Sequence, residues 1–261
     1  MFNFSKYTIA AIDAALSAGE ILKKGFGTSF SISSKEGKHN LVTEYDQKAE
    51  DHIIHFLKEK IEGSSFIAEE SGKSGATSLL WIIDPLDGTV NFAHNIPIFC
   101  VSIALEKEGK LHTGVIYCPM QNELFVAESG KGAYLNQQKL QVSVVKHLDD
   151  AILSTGFPYN INENPFHCID HFIEVVKKGI PIRRLGSAAI DLAYTAAGRF
   201  EGFFEVGLSS WDIAAGILIL EEAKGIVTHW NGNPFLLHER MPILATNQFI
   251  HQELSNLLRL K

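Results

Sequence analysis

The sequence predicts a mixed fold of helices and strands, with an α+β first half followed by an α/β second half. Two segments of helical periodicity precede a run of short apolar segments that are typical of adjacent strands. Beyond about residue 147, strand-like segments alternate with helical ones, which is the order typical of an α/β arrangement. We therefore divide the chain into an N-terminal half, residues 1–146, and a C-terminal half, residues 147–261.

The two predicted helices of the N-terminal half flank a polar segment. The apolar face expected for the first helix, within residues 1–26, consists of Ile9, Ile12, Leu16, Ala18 and Ile21 or Leu22. Residues 25–40 are rich in Gly, Ser and Lys and are predicted to form a mobile loop. Thr43 with Asp46 three positions later is typical of a helix N-terminus. The apolar face expected for this second helix consists of Ala49, Ile53, Phe56, Leu57 and Ile61.

The remaining elements follow from apolar segments separated by turn residues. The strands predicted for the first half are residues 65–70, 79–85, 98–106, 111–118 and 123–129. Glu108-Gly109 and Gly130 are typical of the turns between them. The strands predicted for the second half are residues 151–157, 183–185, 202–206, 225–230 and 242–246. The helices that alternate with them are predicted at residues 165–178, 188–198, 213–223 and 248–260.

Composition and charge narrow the class of protein. With 261 residues, 46% hydrophobic and 20% charged, the chain can bury a sizeable core as one large domain or two compact ones. A formal net charge of −7 argues against nucleic acid as the main partner, because duplex-binding proteins carry a broad basic surface. Since an acidic protein repels anions, a phosphate-bearing substrate would need a local cation, which bound metal would supply.

Cysteine usage and the absence of long apolar runs point to the cytoplasm. Cys100, Cys118 and Cys168 are odd in number and form no Cys-x-x-Cys pair, so neither a disulfide framework nor a zinc site is indicated. Asp13 and Glu20 interrupt the N-terminal apolar run, unlike a secretory signal. Because no apolar stretch is long enough to span a bilayer, no membrane partner is expected.

The segment from Trp81 to Phe92 carries the strongest chemical signal, because it brings two carboxylates together. A buried strand ending at Asp84 would deliver one carboxylate to the sheet edge, and Asp87 would return a second one after Pro85 bends the chain. Two carboxylates held this close repel each other unless a cation lies between them. Oxygen ligands suit a hard cation, and magnesium in particular retains waters and also binds substrate phosphate.

The next two residues suit an anion, although two other interpretations compete. Gly88 would let the backbone approach a ligand closely, with the amides of Gly88 and Thr89 facing phosphate oxygens. Alternatively, the segment is a plain polar turn, since Asp, Pro and Gly are common turn formers. A haloacid-dehalogenase phosphatase is a third interpretation, but its strand ends in Asp-x-Asp-Gly-Thr, and Pro85 stands where its nucleophile would be. That spacing argues against an aspartyl-phosphate mechanism.

Further acidic residues stand apart from this segment in the sequence. Glu69 and Glu70 follow the strand-like residues 65–67, where they are either metal ligands or a solvated strand end. Asp212 precedes an apolar helix, and a helix cap would explain it fully. A carboxylate held rigidly at a helix start can also serve as a ligand, so both interpretations stay open.

Three separated motifs in the same order resemble the inositol monophosphatase family, most closely its bacterial, SuhB-like branch. Glu69-Glu70-Ser71 resembles the family's Glu-Glu-Ser element, and residues 84–92 resemble its Asp-Pro-Leu/Ile-Asp-Gly-Thr-x-Asn-Phe motif. Residues 211–216 resemble its Trp-Asp-x-Ala-Ala-Gly motif, and Gly186, Ser187, Ala188, Ala189 and Glu205 match substrate-side positions. The resemblance covers nearly the whole chain and implies the layered αβαβα sandwich of that superfamily.

The resemblance implies a magnesium-dependent, lithium-sensitive phosphomonoesterase with two to three metal ions per site. It assigns Glu69, Asp84 and the Leu86 carbonyl to a first ion, Asp84, Asp87 and Asp212 to a second, and Glu69 to a third. Thr89 would position the attacking water, with Asp46 supporting its hydroxyl. The residues implied to contact substrate are Asp87, Gly88, Thr89, Gly186, Ser187, Ala188, Glu205 and Asp212. A homodimer and a role for Lys35 near the site are also implied.

The chain departs from the family's pattern at three places. Lys224-Gly225 stands where the family often has Gly-Gly, and Gly225 is expected to serve as the helix stop. Asn40 stands where animal members carry Asp. Ser209-Ser210 stands where animal members carry His-Cys. The last two departures weaken any inference about the rim of the sugar pocket.

Other functions and sites compete with this one. The same fold could serve as a non-catalytic regulatory binding protein, but every expected catalytic group is present. Val90-Asn91 favours the inositol branch over 3′-nucleotidases, which usually carry Lys-Glu there, whereas fructose 1,6-bisphosphate, histidinol phosphate and nucleotide monophosphates stay open as substrates. His167 and His171, beside Cys168, have a spacing that could bind zinc, but an ordinary helix face is the favoured interpretation.

Overall fold

The computed structural model describes residues 4–34 and 41–259 of the chain. Its helices are α1 (Lys6–Gly25), α2 (Glu44–Lys60), α3 (Thr89–Ala93), α4 (Cys168–Lys177), α5 (Ala188–Ala196), α6 (Ser210–Glu222) and α7 (His251–Leu257). Its first ten strands are β1 (Ile32–Ser34), β2 (Leu41–Thr43), β3 (Ser64–Ala68), β4 (Gly72–Ser74), β5 (Leu79–Asp87), β6 (Cys100–Lys107), β7 (Lys110–Cys118), β8 (Glu123–Glu128), β9 (Gly132–Leu135) and β10 (Gln138–Lys139). The others are β11 (Leu153–Thr155), β12 (Ile182–Arg183), β13 (Gly202–Glu205), β14 (Ile226–Thr228) and β15 (Ile243–Thr246).

Two large sheets organise these strands. The first has eight strands in the order β10-β9-β8-β7-β6-β5-β3-β4, with β3 and β5 parallel and the other neighbours antiparallel. The second has five strands in the order β12-β11-β13-β15-β14, and β11 is parallel to both of its neighbours. A separate antiparallel pair joins β1 to β2.

Alternating burial on the strands stacks helices and sheets in five layers. On β5, Trp81 and Ile83 pack against α1 and α2, whereas Ile82 faces the opposite side, where α5 and α6 lie. On β13, Phe203 joins the α5 and α6 side and Phe204 joins a third cluster with α4 and α7. The resulting order of helices, sheet, helices, sheet and helices is the layered αβαβα sandwich that the resemblance implies.

The first helix buries only part of the expected face. Ala18 and Leu22 are buried as predicted, and Ile12 and Leu16 pack partly buried against the same core, but Ile9 is 50% exposed and small residues make up most of the buried face. The buried residues of α1 are Thr8, Ala10, Ala11, Ala14, Ala15, Ala18, Gly19, Leu22 and Gly25. A Cβ added at Gly19 would lie 2.4 Å from the ring of Tyr117 on β7. The helix therefore needs small side chains in order to lie close to the sheet, a requirement that periodicity alone does not reveal.

The second helix matches its predicted start, whereas the segment before it is partly a strand. Thr43 caps α2 in a capping box with Asp46, as the spacing predicted. Ala49, Ile53 and Leu57 are buried, but Phe56 is only half-buried. Within the predicted loop, residues 32–34 form β1. Lys35 and Asn40 lie outside the described residues.

The other predicted strands and helices each have a counterpart in the structure, whereas α3 and β2 were not predicted. Strands β4, β9 and β10 were not expected, because they are two to four residues long and carry few apolar side chains. Helix α6 begins at Ser210 rather than 213, which places Asp212 in its first turn. The proposed division at residues 146 and 147 stays a prediction.

None of the helices in the described residues is long and apolar enough to cross a membrane.

Candidate active site

A bulge in β5 brings Asp84 and Asp87 to the same edge of the first sheet. Asp84 pairs with Ser102 of β6 and Asp87 pairs with Cys100, so two residues on β5 oppose one on β6. One of those two is Pro85, which has no N–H to donate to the ladder and is tolerated at a bulge. The strand therefore continues through the bulge to Asp87 rather than ending at Asp84 as the sequence suggested.

Asp84 is a buried carboxylate surrounded by other acids. Its side chain is 2% exposed, and its Oδ1 accepts a hydrogen bond from the Leu86 N–H at 3.0 Å. Burial, and then repulsion from Glu69, Asp87 and Asp212, raises its pKa well above the usual value. A nearby cation would offset both effects.

Asp87 connects the bulge to the start of α5. Its Oδ2 accepts hydrogen bonds from Ser187 Oγ at 2.6 Å and from the Ala189 N–H at 2.8 Å. The pKa of Asp87 is raised to about 6. Burial is the main cause and the charge of Glu69 adds to it, whereas these hydrogen bonds partly offset the shift. The predicted substrate-side residue Ser187 thus orients a predicted metal ligand directly.

Asp212 reaches the cluster from the first turn of α6. It is the N3 residue of a capping box, and its Oδ2 accepts a hydrogen bond from the Ser209 N–H at 2.6 Å. Burial, followed by the charge of Asp87, raises its pKa well above the usual value, and Arg240 lowers it. Arg240 also donates to Ser209 Oγ at 2.7 Å. Its guanidinium group therefore contacts Ser209, one of the two residues that differ from the His-Cys of the animal sequences.

Glu69 joins the cluster through the pairing of two parallel strands. The register pairs Ala68 of β3 with Ile83 of β5, so the next residues along, Glu69 and Asp84, are neighbours at the sheet edge. The Glu69 N–H donates to the Ile83 carbonyl at 3.2 Å. The charge of Glu69 raises the pKa values of Asp84, Asp87 and Asp212. The four carboxylates predicted to bind metal therefore share one region.

Thr89 lies between the second helix and the bulge. Its Oγ1 is 3.0 Å from Asp46 Oδ1 and 3.0 Å from the Leu86 carbonyl oxygen, and its single hydrogen can be donated to one of them at a time. Asp46 is held in turn by the N–H and the hydroxyl of Thr43, at 2.7 and 2.6 Å. Gly88 has φ of +98°, and a Cβ there would lie 2.9 Å from the Ile98 carbonyl oxygen, so the turn requires glycine.

The other predicted substrate-side residues belong to the C-terminal half of the chain. Gly186 has φ of +82° and packs against Asn91, whose Nδ2 donates to the carbonyls of Ile98 and Leu185 at 2.8 Å each. Glu205, at the end of β13, is 8% exposed. Burial raises its pKa to about 8, with Asp212 and Asp87 adding to the shift. Glu205 is thus buried within electrostatic reach of the cluster.

Several residues around the site were not singled out by sequence reasoning. Asn91 belongs to the recognised motif, so its spacing could have marked it. Asp191 had a weaker signal, as the single acid of an otherwise apolar helix, and Glu50 had none, because it is one of several acids on α2. Asp191 is 1% exposed, and burial together with Glu205 raises its pKa well above the usual value. Their roles depend on tertiary contacts that the sequence does not display.

The predicted histidine pair does not share a helix. His167 precedes α4 with φ of 56° and lies 3.3 Å from Asp170 Oδ2, whereas His171 is buried with its ring 4.7 Å from that of Trp230. The i, i+4 geometry assumed for a zinc pair is therefore wrong, because the helix begins only at Cys168.

The donor chemistry of the carboxylate cluster fits magnesium. Within residues 4–34 and 41–259, no three His, Cys, Asp or Glu side chains form a ready-made metal cage. Magnesium rarely uses such a cage, since it keeps several waters and binds through one or two carboxylates plus substrate phosphate. Asp84, Asp87 and Asp212 each commit an oxygen to a backbone N–H, which fixes the direction of the carboxylate. All donors are oxygens, as a hard cation requires.

Comparisons with known proteins agree on one family. The model of the Inositol monophosphatase family matches residues 3–260. The inositol-1-monophosphatase of Mesorhizobium japonicum is 41% identical over 246 residues, which are 93% of this chain and 92% of that protein. The Nus factor SuhB of Salmonella typhimurium is 43% identical over 225 residues, 85% of this chain and 84% of that protein. The crystal structure of the extragenic suppressor protein suhB from Bartonella henselae has a TM-score of 0.92 at 39% identity, covering 98% of this chain and 99% of that one.

Proposed function

The chain belongs to the inositol monophosphatase family, a family of phosphoric monoester hydrolases, and on that premise we propose that it hydrolyses inositol 1-phosphate to inositol and phosphate. The observation that carries this proposal is the convergence of Asp84, Asp87 and Asp212 with Glu69 at one sheet edge, where burial and mutual repulsion raise the pKa values of the three aspartates. Such a cluster is poised to receive cations, and cations are what an acidic protein needs to bind a phosphate ester.

The proposed cofactor is magnesium, with two to three ions per site. Glu69, Asp84 and the Leu86 carbonyl would hold a first ion, Asp84, Asp87 and Asp212 a second, and Glu69 a third. When bound, the ions would neutralise the phosphate, lower the pKa of a water and stabilise the leaving alkoxide. Oxygen-only donors and hydrogen-bonded carboxylates support this choice of cation.

Thr89 and Asp46 are proposed to orient the attacking water. When the Thr89 hydroxyl donates to Asp46, 3.0 Å away, its lone pairs are left to accept a hydrogen bond from that water. Asp46 is itself fixed by hydrogen bonds from Thr43, so the Thr89 hydroxyl that donates to it cannot rotate freely. Direct attack by water needs no covalent intermediate, and Pro85 occupies the position of the haloacid-dehalogenase nucleophile. Single-turnover hydrolysis in ¹⁸O-water should therefore label phosphate and leave the protein unlabelled.

The substrate's ring hydroxyls are proposed to contact Asp87 and residues of the C-terminal half. Glu205 would hydrogen-bond ring hydroxyls, and Asp87 with the backbone near Gly186, Ser187 and Ala188 would hold others. Gly88 and Thr89 would contact the phosphate. Ser187 donates to Asp87, which supports an indirect role in addition to substrate contact.

Removal of magnesium tests the proposed cofactor. Exhaustive chelation should abolish phosphate release, and excess Mg²⁺ should restore it, because four clustered carboxylates repel a phosphate dianion. Lithium is expected to inhibit by occupying one of the magnesium positions. Full activity in protein shown to be metal-free by elemental analysis would contradict the proposal.

A phosphate-release panel tests the substrate. Inositol 1-phosphate should be hydrolysed with higher kcat/KM than fructose 1,6-bisphosphate, histidinol phosphate or nucleotide monophosphates. A preference for fructose 1,6-bisphosphate would support the principal alternative, a sugar phosphatase of the same fold, and would leave the reaction class intact. A cytoplasmic location and a homodimeric state stay predictions.

A regulatory binding role on the same fold is a second candidate. It is favoured by the relatives named Nus factor SuhB, which are 43% identical to this chain over 225 residues.

Asp87→Asn should remove most of the hydrolysis rate without unfolding the protein, because the site loses a charge rather than a packing contact. A full-length chain that folds but releases no phosphate from any ester in the panel, with magnesium present, would favour the regulatory role.

A further inference from the structure

Glu50 is a buried carboxylate that the proposed chemistry does not use. It lies on α2, one helical turn after Asp46, and is 2% exposed. A carboxylate removed from water is costly unless hydrogen bonds satisfy it. Its two oxygens accept hydrogen bonds from two consecutive backbone amides, Glu70 N–H at 2.8 Å and Ser71 N–H at 2.7 Å.

These two amides belong to the loop that carries Glu69. Strands β3 and β4 pair antiparallel through Ala68 and Gly72, so residues 69–71 form the connecting loop of a hairpin. The first loop residue is Glu69, and Glu50 accepts hydrogen bonds from the backbone of the two residues that follow it. The start of the loop is fixed separately, by the bond from the Glu69 N–H to the Ile83 carbonyl at 3.2 Å. The backbone of Glu69 is thus held on both sides.

Asp46 and Glu50 lie on one face of α2 and contact two different parts of the site. Residues four apart on a helix lie above one another. Asp46 holds Thr89, and Glu50 holds the loop of Glu69. A single helical turn therefore fixes two groups that follow different strands of the sheet, Thr89 after β5 and Glu69 after β3.

We propose that Glu50 is a positioning residue that aims Glu69 at the metal-binding cluster through the backbone amides of Glu70 and Ser71. This inference rests on the proposed function, because it takes Glu69 as a metal ligand. Its energetic basis is that hydrogen bonds from outside the ligand shell typically affect metal affinity or activity by about 10- to 100-fold. Glu50 itself touches neither substrate nor metal.

The chain offers a matched control in Glu222. Its carboxylate also bridges two backbone amides of a hairpin turn, Gly130 N–H and Gly132 N–H, both at 2.7 Å. Glu222 lies at the end of α6, ten residues beyond Asp212, which is about 15 Å along a helix. Glu222→Gln removes the same kind of interaction far from the carboxylate cluster.

The test compares metal binding in wild type, Glu50→Gln and Glu222→Gln, each at full length. Free Mn²⁺ is measured by electron paramagnetic resonance, with Mg²⁺ as competitor, because Mn²⁺ also prefers oxygen ligands. Glu50→Gln is expected to weaken binding by about 10- to 100-fold, since one of the two N–H groups would then face the amide NH2, which cannot accept. Glu222→Gln should lower the melting temperature without changing the affinity. The Mg²⁺ concentration giving half-maximal phosphate release should rise in parallel for Glu50→Gln only.

Two outcomes separate failure of this inference from failure of the proposed function. If wild type binds no Mn²⁺ that Mg²⁺ displaces, the metal-dependent function itself is wrong. If wild type binds but Glu50→Gln binds equally well, or if Glu222→Gln weakens binding as much, the positioning role is overturned. Should Glu50→Gln not fold, Glu50→Asp keeps the charge but withdraws the oxygens from the loop, and the same loss of affinity is expected.

Discussion

The Glu205 carboxyl group lies against Gly156, which follows the end of β11, so a side chain at that position would force the carboxyl group to move. A Cβ added at Gly156 would lie 2.3 Å from Glu205 Oε2 and 2.4 Å from Oε1. Burial, followed by the charges of Asp212 and Asp87, raises the pKa of Glu205 to about 8 in the metal-free protein, and bound magnesium would offset the part that comes from the two aspartates. A neutral carboxyl both donates and accepts hydrogen bonds, which suits ring hydroxyls.

The protonation of Glu205 sets the expected effect of Glu205→Gln. Loss of a hydrogen bond to a neutral Glu205 would cost about 0.5–1.5 kcal/mol, roughly 2- to 13-fold in kcat/KM, and loss of one to a charged Glu205 would cost about 1.5–3 kcal/mol, roughly 10- to 150-fold. A loss in one of these ranges is expected for inositol 1-phosphate at pH 7, with little change for p-nitrophenyl phosphate, which has no ring hydroxyls. Equal losses on the two substrates would mean that Glu205 supports the metal site or the folded structure rather than binding the ring hydroxyls.

Glu128 has the opposite environment, although it is also buried. Burial opposes its ionisation, but hydrogen bonds from Lys131, Thr8 and Ser5 outweigh that effect and lower its pKa to about 2. The Ser5 N–H donates at 2.8 Å and Thr8 Oγ1 at 2.5 Å, so a carboxylate on β8 anchors the first turn of α1. Unlike Glu205, this acid is stabilised in its charged form.

Stability should therefore depend on pH through Glu128. A carboxyl whose folded pKa is lowered from 4.5 to about 2 stabilises the fold fully above pH 4.5 and loses that contribution as pH falls toward 2. Glu128→Gln is expected to cost about 1–3 kcal/mol of unfolding free energy at pH 7. Urea unfolding of both proteins should show a gap that narrows below pH 4.5. A constant gap would contradict the assignment, and Lys131→Gln serves as the control for the lysine alone.

At the scale of elements, helix α6 ends in a way that the sequence did not predict. The Gly225 N–H donates to the Leu220 carbonyl at 2.8 Å and the Lys224 N–H donates to Glu221 at 3.0 Å, which is the pattern of a Schellman motif. The left-handed residue of that motif is Lys224, with φ of 73°, rather than Gly225. The expectation that Gly225 supplies the helix stop is therefore wrong. Glycine is instead favoured at position 225 by close packing, because an added Cβ would lie 2.5 Å from Leu220 Cγ.

Lys224→Gly should stabilise the protein, because glycine adopts a left-handed conformation without a steric penalty. The expected gain is about 0.5–1 kcal/mol, which corresponds to a rise of about 1–4 °C in melting temperature for a chain of this size. Lys224→Ala controls for loss of the ammonium group, since alanine keeps the strain. An equal rise for alanine and glycine would show that charge, not backbone conformation, limits stability here.

How well each element could be predicted depends on how much of its structure is local. Strands β5 to β8 are long and apolar, so their pattern identifies them. Strand β4 has the sequence Gly72-Lys73-Ser74 and exists only because β3 offers it a partner. The buried face of α1 follows from close packing against Tyr117, which favours alanine over the isoleucines that the periodicity singled out.

The same distinction applies to the site. Asp84, Asp87 and Asp212 are marked by motifs, whereas the role of Glu50 requires the β3–β4 hairpin to lie against α2. The contact between Ser187 and Asp87 joins residues 100 positions apart. Local chemistry can be predicted from the sequence, but these bonds depend on how the layers stack.

At the scale of the whole molecule, α6 connects the metal-binding cluster to the packing of both sheets. It lies in the middle layer, and its residues share one core cluster with Ile116 of β7 and Ile243 of β15. Its first turn carries Asp212. The separation between α6 and the first sheet therefore sets the distance between Asp212 and the two aspartates of β5.

Helix α6 approaches the first sheet closely at Gly114 of β7, which leads to a final prediction. A Cβ at Gly114 would lie 2.7 Å from the Ala215 carbonyl oxygen, so Gly114→Ala must displace the backbone of α6 and move Asp212 with it. The expected result is a loss of about 1–3 kcal/mol in stability and a fall of about 10- to 100-fold in kcat, because catalysis depends on sub-ångström placement. The control is Val115→Ala, which leaves a cavity on the opposite face of the same strand, in the cluster with α1, and should cost similar stability while leaving kcat and the Mg²⁺ requirement unchanged. Equal losses of kcat in the two variants would mean that activity follows overall stability rather than the position of α6.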